Sequence, residues 1–515
     1  MLFLLFGLGI LFRLTHYLEN RSLWEDEAWR ALWVGAQSYS DIIFNKPFAT
    51  DLPVPPAGFL LLGKISTQIF GNNEFALRLF PLIFGMTNLF LFYTVLKSCV
   101  SSKARGVAFG LAIFLDSFIY FSAEFKQYSQ DVFVALAMYF IFYHFRARPF
   151  NVVKRVALGV SGALAILFSH TAVFILAAIG IVLICESRVN PEKGKAAKSL
   201  LIILGYWAAS FIYCYKVIFE GMLSNQIQTD MVWQYFWPHP AWSWESLRWL
   251  VNSWIGLFQD PLNFLVPWVA AILTFLGMAA MWRQNKENFF LFVFPMILVL
   301  LASSLKAYPF HGRWLLFMVP NLLLFLAVGV ETIFMKKSVV RQSIYGIAII
   351  ILFFTPVTSA FEKSIQGRGF EQMRPLMTVL KAQARPSDKI YVNSEGHFAF
   401  FYYLGYFRMR DYFEELGKFS NFVQTDSQGE YVGISYQKAH FFANGCYKGF
   451  SFLGRSLVYS NSPEGFGTSA RTWVLFSHWK SSELFVLDFL DRHGRRLGEW
   501  QQKGSSLYLY DLSPI

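Results

Sequence analysis

Charge is what this chain has least of. Of its 515 residues, 15% are Asp, Glu, Lys or Arg, where an ordinary soluble domain carries about 25%. That figure alone excludes a large soluble enzyme. Cysteine is scarce as well, with four residues and no CxxC pair, which removes a disulfide scaffold and a thiolate metal site. Disordered and collagen-like chains fall on the same composition. Also missing is any Lys/Arg stripe interleaved with aromatic residues on a polar face, so the net charge of +12 is not a nucleic-acid footprint.

What fills the chain instead is apolar. Hydrophobic residues make up 55% of it, and Phe alone occurs 57 times. This surplus requires a lipid solvent and predicts a polytopic α-helical membrane protein. Eleven windows approach the roughly 20 apolar residues that a crossing helix needs: residues 1–19, 75–97, 105–121, 131–145, 155–169, 171–185, 199–219, 262–282, 288–304, 314–335 and 343–360. The connections at 97–105, 146–155, 188–198, 283–286 and 336–341 hold sixteen Lys and Arg, whereas the short connections on the other side offer Lys126, Lys306 and Arg313. The positive-inside rule places the N-terminus in the cytoplasm and everything after about residue 360 outside. The opening segment has neither a basic n-region nor a small-x-small site, so it is expected to stay as the first helix. Cys99 and Cys185 then fall at cytoplasmic helix ends, Cys214 in a span and Cys446 alone in the tail, all expected to be inert.

Three outer segments exceed mere connectors. Residues 20–74 are expected to hold a helix over 26–44, a Pro-rich turn at 53–56, and an interfacial helix over 57–70 ended by Gly71-Asn72-Asn73. Residues 220–260 carry Trp233, Trp237, Trp242, Trp244, Trp249 and Trp254. Such a run fits an interfacial hairpin or, alternatively, stacking against a sugar or lipid chain. The tail, 361–515, reads as a small extracytoplasmic α/β domain. It has a helix from Glu371, a turn at 385–388, strands over 389–393, 472–476 and 506–512, and an amphipathic helix over 484–492. The domain division is therefore 1–360 for the membrane part and 361–515 for the tail.

Ionisable groups gather at the outer mouths of the spans, where they are costly unless they have a task. The run Trp24-Glu25-Asp26-Glu27-Ala28-Trp29 could be helix-capping carboxylates or a desolvated general base. Glu124, Lys126 and Tyr128 are too concentrated for a passive turn, with Asp116 before them and Asp131 after. Lys306 to Trp314, with His311 and Arg313, fits either a phosphate site at a helix start or an interfacial anchor. His170, in the turn Ser169-His170-Thr171, is a further candidate. Glu395 and His397 follow a predicted strand and are noted only.

These residues together carry a resemblance. Leu23-Trp24-Glu25-Asp26-Glu27-Ala28-Trp29 is similar to the Asp-Glu motif in the first outer loop of the GT-C glycosyltransferases. These are polytopic enzymes using polyprenyl-phosphate sugars, among them protein O-mannosyltransferases and the lipid A aminoarabinose transferase. Pro55-Pro56-Ala57-Gly58-Phe59 and Phe70-Gly71-Asn72-Asn73-Glu74-Phe75-Ala76-Leu77-Arg78-Leu79 resemble their interfacial helix and the helix start that follows. Ser122 to Tyr128 resembles their Glu-x-Arg-x-Tyr turn, and His170-Thr171 and His311-Gly312-Arg313-Trp314-Leu315 their later His and Arg-Tyr-Leu segments. The likeness covers about residues 1–335.

The resemblance implies inverting transfer of a sugar from a polyprenyl-phosphate donor to a hydroxyl of a glycan, lipid or protein acceptor at the cell inner (plasma) membrane. It implies Asp26 as general base, with Glu27 and Glu124 orienting substrate hydroxyls. Lys126, His311, Arg313, Arg78 and Tyr128 would serve the donor phosphate, and Trp24 and His170 the substrate. No nucleotide is needed; a divalent ion between Glu124 and His170 or His311 is left open. Lys126 stands in place of the usual Arg, which keeps charge but loses bidentate contact, and Trp314 replaces the usual Tyr. Val54 replaces the Lys of the aminoarabinose branch, which speaks against that sugar. A transporter or flippase would instead place charges near the midplane. An O-antigen-ligase-type enzyme would rely on a late basic loop, here around His239.

Overall fold

The computed structural model describes residues 2–44, 54–146, 152–189, 193–219, 233–240, 243–334, 339–369, 371–385, 388–393, 396–405, 445–447, 449–452, 455–458, 471–477 and 483–513. Trp242 and Glu395 lie outside the described residues, as do parts of the 53–56 and 385–388 turns. The chain forms two compact units. The first comprises Met1–Glu19, Ile43–Leu62 and Arg78–Gly367; the second comprises Asn20–Ile42, Gly63–Leu77 and Arg368–Ile515. Two pieces of the first outer loop thus cluster with the tail. A division drawn along the chain at 360/361 cannot contain that grouping, because the pieces meet across some three hundred and fifty residues of sequence.

In the first unit helices cover every apolar window: Leu2–Leu18, Glu74–Cys99, Ser102–Phe114 continued by Asp116–Tyr120, Tyr128–Arg146, Val152–Phe168, Ala172–Val189, Lys193–Cys214, Pro267–Gln284, Lys286–Ser304, Val319–Phe334 and Val339–Gln366. Among the described residues, five segments are long and apolar enough to cross a membrane, and six if the pair bent by 55° at Leu115 is one span. Small residues set the closest packing, as expected where helices associate without a hydrophobic driving force. A β-carbon on Gly277 would lie 1.8 Å from the Phe325 carbonyl oxygen, and one on Gly329 would lie 1.9 Å from that of Leu273.

Ionisable groups inside this unit have partners. Lys363 Nζ lies 2.6 Å from Asp116 Oδ2, and Arg13, 1% exposed, donates to the Gly9 carbonyl at 2.8 Å. Starts are capped where the chain turns back: Ser101 Oγ accepts from the Ala104 N–H and Asn285 Oδ1 from the Asn288 N–H.

In the second unit the helix expected over 26–44 is divided into Glu25–Ala36 and Tyr39–Ile43. The break has a local cause. Ser38 Oγ accepts from the Asp41 N–H while Asp41 Oδ2 accepts from the Ser38 N–H, both at 3.1 Å, a reciprocal cap that starts a new helix. The tail supplies helices Met373–Gln383, His397–Leu404 and Glu483–His493 and strands β1 (Lys389–Val392), β2 (Gly445–Tyr447), β3 (Gly449–Phe452), β4 (Arg455–Val458), β5 (Arg471–Ser477), β6 (Arg495–Gln502) and β7 (Ser505–Asp511). The five-stranded sheet runs β2-β1-β5-β7-β6, with β1 parallel to β5 and the other pairs antiparallel; β3 and β4 form a separate hairpin. β7 is buried on both faces from Ser505 to Tyr510 instead of alternating, and β6 lies outside the predicted strands because its residues are largely polar and exposed.

Candidate active site

The acidic run occupies the first turn of Glu25–Ala36, so helix N–H groups and the dipole favour its charge. Its adjacent carboxylates have different surroundings. Glu27 is fully buried and pairs with Arg21 at 2.8 Å. Asp26 is 34% exposed, with Arg30 Nη1 at 3.7 Å from Oδ1. That guanidinium also donates to the Asp26 carbonyl at 2.6 Å and lies 5.2 Å from the Trp29 ring. Glu27 is thus engaged in an ion pair, whereas Asp26, like Glu25 before it, is partly exposed. Trp24 is buried at the N-cap position. Arg21 and Arg30 were not singled out from sequence, although both lie within six residues of a carboxylate partner.

The other candidates belong to the first unit. Phe121–Ala123 is a single 3-10 turn, and the Lys126 N–H returns to the Glu124 carbonyl at 2.7 Å. This turn buries Glu124, Lys126 and Tyr128, which are 0%, 1% and 5% exposed. Arg313 lies over the Tyr128 ring at 5.8 Å and over Trp314 at 5.7 Å, while Lys126 Nζ lies 6.0 Å from the same Tyr128 ring. The fold thus brings Lys126, Tyr128 and Arg313 together from two segments. Two cations thus approach one aromatic ring, in a turn that also buries the Glu124 carboxylate.

Around them, Tyr308 Oη donates to the Trp314 carbonyl at 2.8 Å. Burial first, then Asp131 and Tyr128, holds that phenol well above its usual range, so it stays protonated. Ser169 Oγ donates to Asp131 Oδ1 at 2.6 Å. His170 Nε2 meets the Val54 carbonyl at 3.1 Å, and burial pushes the imidazole down to about 4 despite that bond. It is therefore neutral near pH 7 and suited to hydrogen bonding, not to charge neutralisation.

His311 stacks on Tyr235 with centroids 4.1 Å apart and planes 7° from parallel, and its Nε2 is 3.8 Å from Asp260 Oδ2. Burial lowers its pKa while Asp260 opposes that shift. Arg78 is buried, at 2% exposed, near the start of Glu74–Cys99. The Trp-rich segment folds onto residues 303–314: Phe310 N–H donates to the Tyr235 carbonyl at 2.9 Å and Trp237 N–H to Ser303 Oγ at 2.9 Å. His239, around which the ligase alternative turned, bonds the Ser304 carbonyl at 2.8 Å. Among the described residues no group of three or more His, Cys, Asp or Glu is placed to hold a metal ion.

This arrangement has the GT-C fold. The structure of ArnT from Cupriavidus metallidurans in the apo state matches over 99% of this chain and 97% of that one, at 11% identity and a TM-score of 0.51. Residues 53–213 match the family model described as dolichyl-phosphate-mannose-protein mannosyltransferase. The oligosaccharyltransferase AglB from Archaeoglobus fulgidus, solved with an inhibitory peptide and a dolichol-phosphate, matches over 74% of this chain at 14% identity and a TM-score of 0.44. The chain spans 58% of the length of that enzyme. No curated protein matches the sequence.

Proposed function

We propose that this protein is an integral membrane glycosyltransferase. It transfers a hexosyl or pentosyl group from a polyprenyl-phosphate donor to a hydroxyl of a cell-envelope glycan, lipid or protein. Asp26 takes the acceptor proton as the acceptor oxygen attacks the anomeric carbon. The bond from that carbon to the phosphate oxygen breaks, and polyprenyl phosphate leaves with the electron pair, inverting the anomeric configuration. Lys126, Arg313 and His311, with Arg78 and Tyr128, meet the leaving phosphate, where electrostatic stabilisation counts most. Glu124 and His170 orient substrate hydroxyls, Trp24 backs the substrate, and Glu27, paired with Arg21, holds the motif in place. The bias of Lys and Arg among the loops supports a plasma (inner) membrane protein with its N-terminus in the cytoplasm and residues 361–515 outside.

One observation carries this reading. Of the three adjacent carboxylates in the motif, Glu27 is sealed in an ion pair, while Asp26 and Glu25 are partly exposed, Asp26 at 34%. The family description, which names a dolichyl-phosphate sugar, supports the donor class. The test is product analysis after incubating the purified protein with a panel of polyprenyl-phosphate sugars and envelope acceptors. Release of polyprenyl phosphate with a glycosylated product is expected. Absence of turnover on every donor, with substrate accumulation in sealed vesicles, would establish a transporter instead.

A further inference from the structure

The segment that leads into Asp26 has no regular structure of its own. Residues 20–24 are irregular, yet Arg21, Ser22, Leu23 and Trp24 are at most 7% exposed. Buried backbone polar groups must find partners. Here the partners are side chains of the tail. The Leu23 N–H donates to Tyr403 Oη at 2.7 Å, and the Ser22 hydroxyl donates to Gln372 Oε1 at 3.1 Å while accepting from the Arg374 N–H at 3.1 Å. The Glu25 N–H, at the first helical residue, donates to Glu371 Oε2 at 3.3 Å. Arg374 also donates to the Asn20 carbonyl.

The holding groups are themselves held. Tyr403 Oη donates to Glu74 Oε1 at 2.8 Å, and Arg374 Nη1 lies 3.0 Å from the same oxygen. Burial and the Glu74 charge keep the Tyr403 phenol well above its usual range, so its proton stays available for Glu74. The Gln372 N–H donates to the Lys503 carbonyl in the turn between β6 and β7, and Ser477 Oγ, at the end of β5, donates to Glu371. A continuous path of hydrogen bonds therefore runs from the tail sheet to the turn that bears Asp26.

We infer that Arg374 and Tyr403 are positioning residues for the transfer reaction, and that the tail sets the place of the general base. The inference rests on Asp26 being that base. A base must stand within hydrogen-bond reach of the proton it takes, and a displacement of about 1 Å can cost about 10²-fold in rate. A segment without helix or strand bonds of its own cannot hold that tolerance unaided. The tail provides the missing constraint, and the whole chain is needed for the site to work.

The test uses the full-length protein in detergent or nanodiscs, with Tyr403→Phe, Arg374→Ala and Arg374→Lys beside wild type and Asp26→Asn. Tyr403→Phe keeps the ring and removes only the hydroxyl. Hydrogen exchange of peptides covering 20–30 should rise at least severalfold in Tyr403→Phe and Arg374→Ala, with the spans unchanged. For the same two variants kcat should fall roughly tenfold or more with the donor KM within about twofold, and Arg374→Lys should recover part of the loss. Unchanged protection of 20–30 overturns the inference. So does raised exchange with wild-type kcat, and so does a matched fall in thermal midpoint and in exchange protection across the spans, which marks general unfolding. Inactive wild type on every donor sinks the glycosyltransferase reading, whereas active wild type with inactive Asp26→Asn and fully active clamp variants sinks only the positioning role.

Discussion

The acidic segment at 20–37 and the basic mouth at 121–131 with 306–314 solve the same problem, holding charge beside an apolar mass, in opposite ways. In the first, one carboxylate is buried with its own arginine and its neighbour is left about a third open. The irregular backbone is fastened by residues 346 to 380 positions away. In the second, Glu124, Lys126 and Tyr128 are all buried, and Arg313 reaches in over an aromatic ring. Burial makes the second mouth rigid but expensive to disturb, since a charge stranded in a low dielectric costs several kcal/mol. The first leaves Asp26 about a third exposed beside a neighbour held in an ion pair.

The largest effects should separate these two duties. Asp26→Asn is expected to lower kcat by about 10²–10⁴ while the thermal midpoint stays within a degree or two of wild type. Glu27→Gln should do the reverse, destabilising the protein by roughly 3–5 kcal/mol because Arg21 is left buried without its partner. Arg21→Met combined with Glu27→Leu should regain most of that stability. Transfer assays and thermal unfolding of the same preparations check both. Equal activity losses in Asp26→Asn and Glu27→Gln at unchanged stability would erase the distinction between the two carboxylates.

In the basic mouth the next effect concerns the leaving phosphate. Arg313→Ala is expected to reduce kcat by about 10²–10³, with Arg313→Lys retaining part of it because charge remains while the planar fork is lost. The same rates in both variants would show that stacking on Tyr128 and Trp314 matters, and charge does not. Lys126→Ala should combine a similar loss of rate with poor folding, as the side chain it removes is 1% exposed.

A smaller effect is expected from His170. Its folded pKa is about 4, below the ordinary 6.5. Between those values the unfolded chain binds a proton that the folded chain does not, so stability falls as the pH drops through that window. His170→Gln should lose less stability between pH 7 and pH 5 than wild type does, by roughly 1–2 kcal/mol. Parallel unfolding curves at the two pH values would mean the imidazole is not held neutral.

The comparison also explains what could be read from the chain itself. Apolar windows predict helices because their signal is local and long, and helices stand at each window from Leu2–Leu18 to Val339–Gln366. The charged turns were found because an ionisable residue between apolar runs is conspicuous. What escaped depended on pairing across distance. Nothing in Leu23 announces that its N–H needs Tyr403, and nothing in Glu25-Asp26-Glu27 tells which carboxylate Arg21 will take. Strand β6, Arg495–Gln502, is polar and largely exposed, so its period is weak; only pairing along β7 makes it a strand. The break after Ala36 did have a local signature, Ser38 with Asp41, which the apolar spacing of Leu32, Trp33 and Ala36 outweighed.

The smallest effect tests whether the basic mouth is as locally determined as this contrast requires. Gly312 sits between His311 and Arg313 with φ +46, and a β-carbon there would lie 2.5 Å from Asp260 Oδ2. Gly312→Ala therefore meets two obstacles, a left-handed backbone costing about 1 kcal/mol and a carboxylate that must move. Asp260 is mostly exposed, so its side chain can swing away at little cost, giving up its approach to His311. The expected loss is about 1–2 kcal/mol in thermal or denaturant unfolding. Asp260→Ala in the same background should return the part due to the clash and leave the part due to φ. Because Asp260 holds the His311 pKa up against burial, the single and double variants should both show His311 titrating at lower pH than in wild type. Hydrogen exchange over 20–30 should not change in either, since that segment is fastened by the tail. If it does change, the two mouths are coupled, and the contrast between local and long-range fastening fails.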